Sequence, residues 1–211
     1  QKQDAELQML QAKINPHFMY NIFNIISQLA SAGKDEDIIK IARKTSGFYR
    51  RALSKRTDGN SLEDEIAILD DYFDIIDIQR PDAVQKRYEI EPGTEVCLMP
   101  NFILQPIVEN AVKHAMVDGK IEITIRARRE GADMRITVSD NGIGMTPEQA
   151  DEIFQFRPGS GYGLYNISER IRLRYSDTRY DITCESRYGH GTDIILVLPF
   201  KTQSDEEDEN V

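Results

Sequence analysis

Asp133-Met-Arg-Ile-Thr-Val-Ser-Asp140-Asn-Gly-Ile-Gly-Met145 is the stretch around which the chain is arranged. Met134, Ile136 and Val138 alternate with Arg135, Thr137 and Ser139, the period of a strand with one face in a core. Asn141-Gly142 alone signals a hairpin turn. A turn does not account for a second glycine, Gly144, or for the Asp140 carboxylate at the end of an apolar strand. Such a carboxylate is placed to accept a hydrogen bond from an exocyclic amine, while glycines let backbone approach a flat ligand. Upstream, Lys120 to Arg129 alternates in the same way, and Glu130-Gly131 joins the two segments as a hairpin.

Downstream, a short helix at Pro147 to Phe154 precedes Gly159-Ser-Gly-Tyr-Gly163-Leu164, which leads into a helix over Leu164 to Tyr175. Glycine-rich backbone at a helix N-terminus offers unpaired N–H groups and a positive dipole end, an anion site. No GK[ST] follows, and no parallel βαβ unit surrounds it, so it is neither a Walker loop nor a Rossmann turn. Tyr180 to Ser186 and Thr192 to Leu198 read as strands.

Between Pro100 and Met116 the pattern is helical, interrupted by Pro106. Spacings of three and four put Asn110, Lys113 and His114 on one face. An amide oxygen suits Mg²⁺ and an ammonium suits phosphate oxygens. Arg87 to Glu91 reads as a short strand. Ser61 with Asp64 opens a helix by a capping box that runs to Gln79, with Pro81 as its stop. The expected class is α+β: helices over a largely antiparallel sheet, a two-layer α/β sandwich.

The N-terminal part is helical. Residues 1 to 32 form one amphipathic pattern ending at Gly33, and Asp35 to Ser54 forms a second, carrying a basic cluster at Arg43, Lys44, Arg50, Arg51, Lys55 and Arg56. Within the first stand Asn15, Pro16 and His17. Read alone, Asn15 caps a helix, Pro16 takes its first position and His17 is incidental. A two-helix hairpin is too thin to bury its apolar stripe, so pairing with a second copy into a four-helix bundle is expected. Thr57 to Asn60 is a turn-rich break. The divisions are 1–57, a helical dimerisation domain; 58–201, the sandwich; and 202–211, an acidic disordered tail.

With 211 residues the chain has ample material for a core. A formal charge of −10 excludes a nucleic-acid-coating surface, and part of it is the run Asp205 to Glu209. Cys97 and Cys184 fit reduced, buried thiols of a cytosolic setting. No apolar run approaches the ~20 residues of a membrane span. The chain opens without Met, in mid-helix, and is read as a cytoplasmic fragment whose only membrane link is through N-terminal segments of a parent receptor in the inner or plasma membrane.

The three clusters resemble the N, G1 and G2 boxes of the Bergerat-fold (GHKL) ATPases. NPHFMYNIFN, LQPIVENAVKHA, DNGIGM, GYGLYNISERI and the late segment GHGTDIILVLP are similar, in order, to LytS-type sensor histidine kinases over essentially the whole chain except the tail. The resemblance implies that His17 is the phosphoacceptor, fed from Mg²⁺–ATP, with an aspartate on a response-regulator receiver domain as the next acceptor. It implies that Asn110 holds Mg²⁺ and Lys113 contacts phosphates. Asp140 would bind the adenine amine, Gly142 and Gly144 line the base, and Gly161, Gly163 and Leu164 cover the phosphates. Asn166 and Thr192 are supporting positions, and His114 and Met145 complete the nucleotide set. The chain departs from many members in two places. Phe18 follows the phosphoacceptor where an acid is common, which leaves Glu109 as candidate base. Pro106 replaces a second asparagine, so one Mg²⁺ or phosphate contact is either missing or supplied by Gln105. An ATP-hydrolysing switch and a non-catalytic nucleotide-sensing module are the competing readings.

Overall fold

The computed structural model describes residues 16–52, 59–155, 163–175 and 180–205. The hairpin is built from α1 (Pro16–Ser31) and α2 (Asp35–Ala52). Gly33 between them has φ +68°, and the Lys34 N–H donates to the Leu29 carbonyl at 2.9 Å, the left-handed cap expected there. The boundary at 57/58 lies outside the described residues. Asn60–Ser61 (β1) then pairs with Leu98–Met99 (β3), and α3 (Leu62–Gln79) starts on the capping box that Ser61 and Asp64 form.

The sheet has five strands. β2 (Val84–Ile90) lies parallel to β4 (Ile121–Glu130), and β4, β5 (Asp133–Asp140), β7 (Gly191–Pro199) and β6 (Asp181–Arg187) continue antiparallel in that order. Period two sorts its faces. Ile121, Ile123, Ile125, Met134, Ile136, Val138, Ile194, Leu196 and Leu198 are buried under the helical layer. The other face is wet: Arg126 pairs with Glu89, and Arg135 with Glu130. Helices α4 (Leu104–His114), α5 (Pro147–Glu152) and α6 (Gly163–Arg174) complete the described elements. This is the expected α+β, two-layer architecture.

Three expectations change. Pro106 does not interrupt α4, because the helix begins at Leu104 and the proline sits in its first turn, where N–H groups lack intrahelical partners anyway. The hairpin's stripe is covered within one chain. Phe18, Ile22, Ile25, Leu29, Ile41 and Phe48 are buried, and Phe18 meets Phe48 at 4.9 Å and Tyr72 of α3 at 5.8 Å between ring centroids. Charges close the same seam: buried Asp71 pairs with Arg51 and Lys44, and Lys44 reaches Asp74 at 2.5 Å. Part of the basic cluster is therefore an intrachain contact, while Lys55 and Arg56 lie outside the described residues. Finally, the first residues assigned to the tail are ordered: the Thr202 N–H donates to Asp205 Oδ2 at 2.7 Å in a capped helical turn.

Candidate functional site

A cavity of about 390 Å³ opens between α4, the C-terminal end of β5, the start of β7, the 141–146 loop and the start of α6. Its apolar floor is Ile107, Val138 and Ile194. Asn110 and His114 enter from α4, Asp140 from β5, Thr192 from β7, Gly144 and Met145 from the loop, and Leu164 from α6. A mostly apolar concavity with few polar groups is the form small-molecule sites take.

Asp140 reaches the cavity through strand register. It lies two residues beyond Val138 on the core face, directly opposite Thr192 on β7. Its Oδ1 accepts the Gly142 N–H at 2.9 Å. Burial pushes its carboxyl above the ordinary aspartate range, opposed by the backbone donors of Gly142 and Thr192. A partly buried carboxyl acceptor thus lines the cavity.

The loop glycines serve loop packing. A Cβ on Gly142 would stand 2.2 Å from the Ala115 carbonyl oxygen, and the next residue, Ile143, donates its N–H to that oxygen at 2.9 Å. Gly142 therefore backs the loop and does not line the cavity. Gly144, at φ +66°, would put a Cβ 2.0 Å from the Arg187 carbonyl oxygen. The sequence singled out neither Ser186 nor Gly191. Ser186 Oγ accepts the Met145 N–H at 2.9 Å, donates to the Gly191 carbonyl at 2.9 Å and stands 2.9 Å from Thr192 Oγ1. Gly191 has φ +89°, and a Cβ there would come 1.9 Å from the Asp140 carbonyl oxygen. The second glycine of GHGT was the available signal.

Other expected residues stand elsewhere. Glu109 is buried, accepts from Gln105 Nε2 at 2.8 Å and is ion-paired with Lys113. It lies outside the cavity lining, and its charge, after burial, helps push the Tyr49 hydroxyl up to about 12. Gln105 is buried, donates through Nε2 to Glu109 and lies outside the cavity lining. Lys113 and Asn166 are exposed and outside the lining. Gly163 opens α6, and Gly161 lies outside the described residues. The His17 backbone lies in the first described turn of α1, and its neighbour Phe18 is buried against the hairpin and α3. His190 is exposed.

A sheet covered by helices on one face, with an acid at a strand end and an asparagine on the facing layer, is the arrangement that the resemblance to GHKL ATP-binding domains implies. Residues 100–202 match the family model described as histidine kinase-, DNA gyrase B- and HSP90-like ATPase, and residues 5–84 match the histidine kinase model. The sensor histidine kinase YesM of Bacillus subtilis is 31% identical over 95% of the chain, and the sensor protein LytS of Streptococcus mutans 34% identical over 96%. The chain spans 34% and 36% of those proteins' lengths. Among solved structures, the nucleotide-free catalytic domain of histidine kinase ThkA overlays with a TM-score of 0.55 at 19% identity, covering 68% of this chain and 96% of that one. The histidine kinase domain of the blue-light activated kinase of Erythrobacter litoralis gives 0.51 at 14%, covering 93% and 92%. The two models together span most of the chain, which belongs to the histidine kinases.

Proposed function

We propose that the chain is the kinase core of a two-component sensor, which autophosphorylates His17 from Mg²⁺–ATP and passes the phosphoryl group to a response-regulator aspartate. The observation that supports this reading most is that Asp140 and Asn110 line one cavity, in a chain whose N-terminal sequence carries Asn15-Pro16-His17. In this reading Asp140 accepts from the adenine amine and Thr192, tied to Ser186, supports it. Asn110 would hold Mg²⁺ through its amide oxygen, and the ion supplies charge neutralisation on the phosphates. One amide is a sufficient protein donor, because Mg²⁺ keeps waters and phosphate oxygens as its other ligands. Lys113 would have to exchange Glu109 for a phosphate oxygen.

A neutral imidazole is available near pH 7. A His17 ring nitrogen bonds the γ-phosphorus as the bond to the β,γ-bridging oxygen breaks, ADP leaves, and the proton on the other nitrogen is shed. Glu109, which adjoins the Asn110 amide on α4, is the candidate base for that proton. The step asks the protein mainly for positioning and electrostatics.

Homodimerisation through the hairpin is part of the reading. Tyr20 (71% exposed), Phe23 (56%) and Ile39 (52%) remain uncovered on it, a face a second copy would bury. Among the described residues no helix is long and apolar enough to cross a membrane. We assign this core to the cytoplasmic side of a membrane receptor on the strength of its sensor-protein relatives.

The test is incubation with γ-labelled ATP and Mg²⁺, comparing wild type with His17→Gln. Acid-labile, alkali-stable label is expected on wild type and none on the variant. Label surviving in His17→Gln would overturn the phosphoacceptor assignment.

A further inference from the structure

Helix α4, which carries Asn110, has no local N-terminal cap. Its N-cap residue is Ile103, whose side chain makes no capping hydrogen bond. The cap comes from another helix. Glu65 of α3, fully buried, accepts the backbone N–H groups of Phe102, Ile103 and Leu104 at 2.8, 2.9 and 3.2 Å. Asn60 Nδ2 donates to the same carboxylate at 2.7 Å. Four donors and no acceptor suit an ionised carboxylate, and the helix dipole adds to the attraction.

The turn so held is strained and shared. Phe102 has φ +59°, a left-handed conformation that costs a side-chain-bearing residue energy. From the other side Arg170 of α6 donates through Nη1 to the Asn101 and Phe102 carbonyls at 3.2 and 3.4 Å. Phe48 of the hairpin meets the Phe102 ring at 6.3 Å. The turn therefore joins α2, α3 and α6 to the start of α4.

Burial pushes the Glu65 carboxyl up and its four donors oppose that shift; an apolar side chain there would leave all four donors unsatisfied. Leu104 and Asn110 are six residues apart, roughly 9 Å of rise along the helix. A tilt of about ten degrees at the capped end moves Asn110 by roughly 1.5 Å, enough to matter at a site built on positioning.

We propose that Glu65 is a positioning residue for the nucleotide site: by capping α4 from α3 it sets where Asn110 stands among the phosphates and the metal. The inference rests on the nucleotide reading above.

The experiment is calorimetric titration of the whole 211-residue chain with ADP, with and without Mg²⁺, for wild type, Glu65→Gln and Ile68→Ala. Ile68 is a buried residue of the same helix that makes no cap, so it controls for lost stability. Glu65→Gln keeps the size but turns an acceptor into a donor facing donors. It is expected to weaken Mg²⁺–ADP by about tenfold or more and to shrink the Mg²⁺ enhancement of binding. Ile68→Ala is expected to lower the melting temperature and leave both binding quantities at wild-type values. If Glu65→Gln does not fold, Asn60→Ala, which removes one donor to the carboxylate, takes its place with the same expected direction. Wild-type Mg²⁺ dependence in the variant that folds, or an equal loss in Ile68→Ala, would overturn the role of Glu65. A wild-type chain that binds no nucleotide would instead defeat the nucleotide reading.

Discussion

Asp140 carries opposite consequences for stability and for binding. Because burial raises its carboxyl pKa, the folded chain holds that proton more tightly than the unfolded chain does. Ionised Asp140 thus costs the fold stability near pH 7, a cost that fades as pH falls through the raised value. Adenine recognition needs the ionised form, so nucleotide affinity should run the other way and fall over that same interval, above the range of an ordinary aspartate. Asp140→Asn keeps an acceptor for the Gly142 N–H but turns an amide donor toward the amine. We expect it to weaken ATP about 10- to 100-fold, the value of one hydrogen bond to a charged group, and to abolish the acidic fall in affinity. Its melting temperature should not drop. Titrations across pH check the first part and thermal melts the second; a less stable variant with unchanged affinity would contradict both. Asp140 was legible because an acid at the end of a period-two strand is conspicuous. Ser186 was not, since its role depends on β6 lying beside β7, which local sequence does not state.

Helix boundaries were set by chemistry that a sequence displays. The capping box closes as expected, with the Asp64 N–H donating to Ser61 Oγ at 3.1 Å and the Ser61 N–H to Asp64 Oδ2 at 3.1 Å. Ser61→Ala should cost about 1 kcal/mol, read as a lowered urea midpoint with unchanged slope. No loss would mean that β1 pairing and packing hold the helix start without the cap. The helix's surroundings were less legible. Leu69, Tyr72, Phe73 and Ile76 form one buried stripe, Ile66 at its edge is half-buried, and Ile68, Asp71 and Ile75 are buried as well. A helix with the hairpin on one side and the sheet domain on the other has two inner faces, and a single-stripe reading finds one. Asp71, which reads as a solvent-facing acid, is buried because Arg51 and Lys44 meet it from α2.

At the scale of the whole molecule, the hairpin satisfies its main stripe on α3 and leaves Tyr20, Phe23 and Ile39 outward. If these form the dimer face, Phe23→Glu should convert a sedimenting dimer to monomer at equal concentration while thermal stability stays near wild type, since Phe23 is outside the core. A wild-type monomer at micromolar concentration would sink the hairpin dimer. By itself the sequence determined the element types, the local caps and the strand alternation, because each is written in spacings of two, three or four residues and in turn chemistry. Only the tertiary structure decided what covers the hairpin stripe, that Asp140 lines the cavity while Glu109 does not, and that Glu65 caps a helix whose first residue lies 39 positions away. Those contacts join residues far apart in the chain, and their partners are selected by packing and by the need to satisfy buried polar groups, neither of which has a local period.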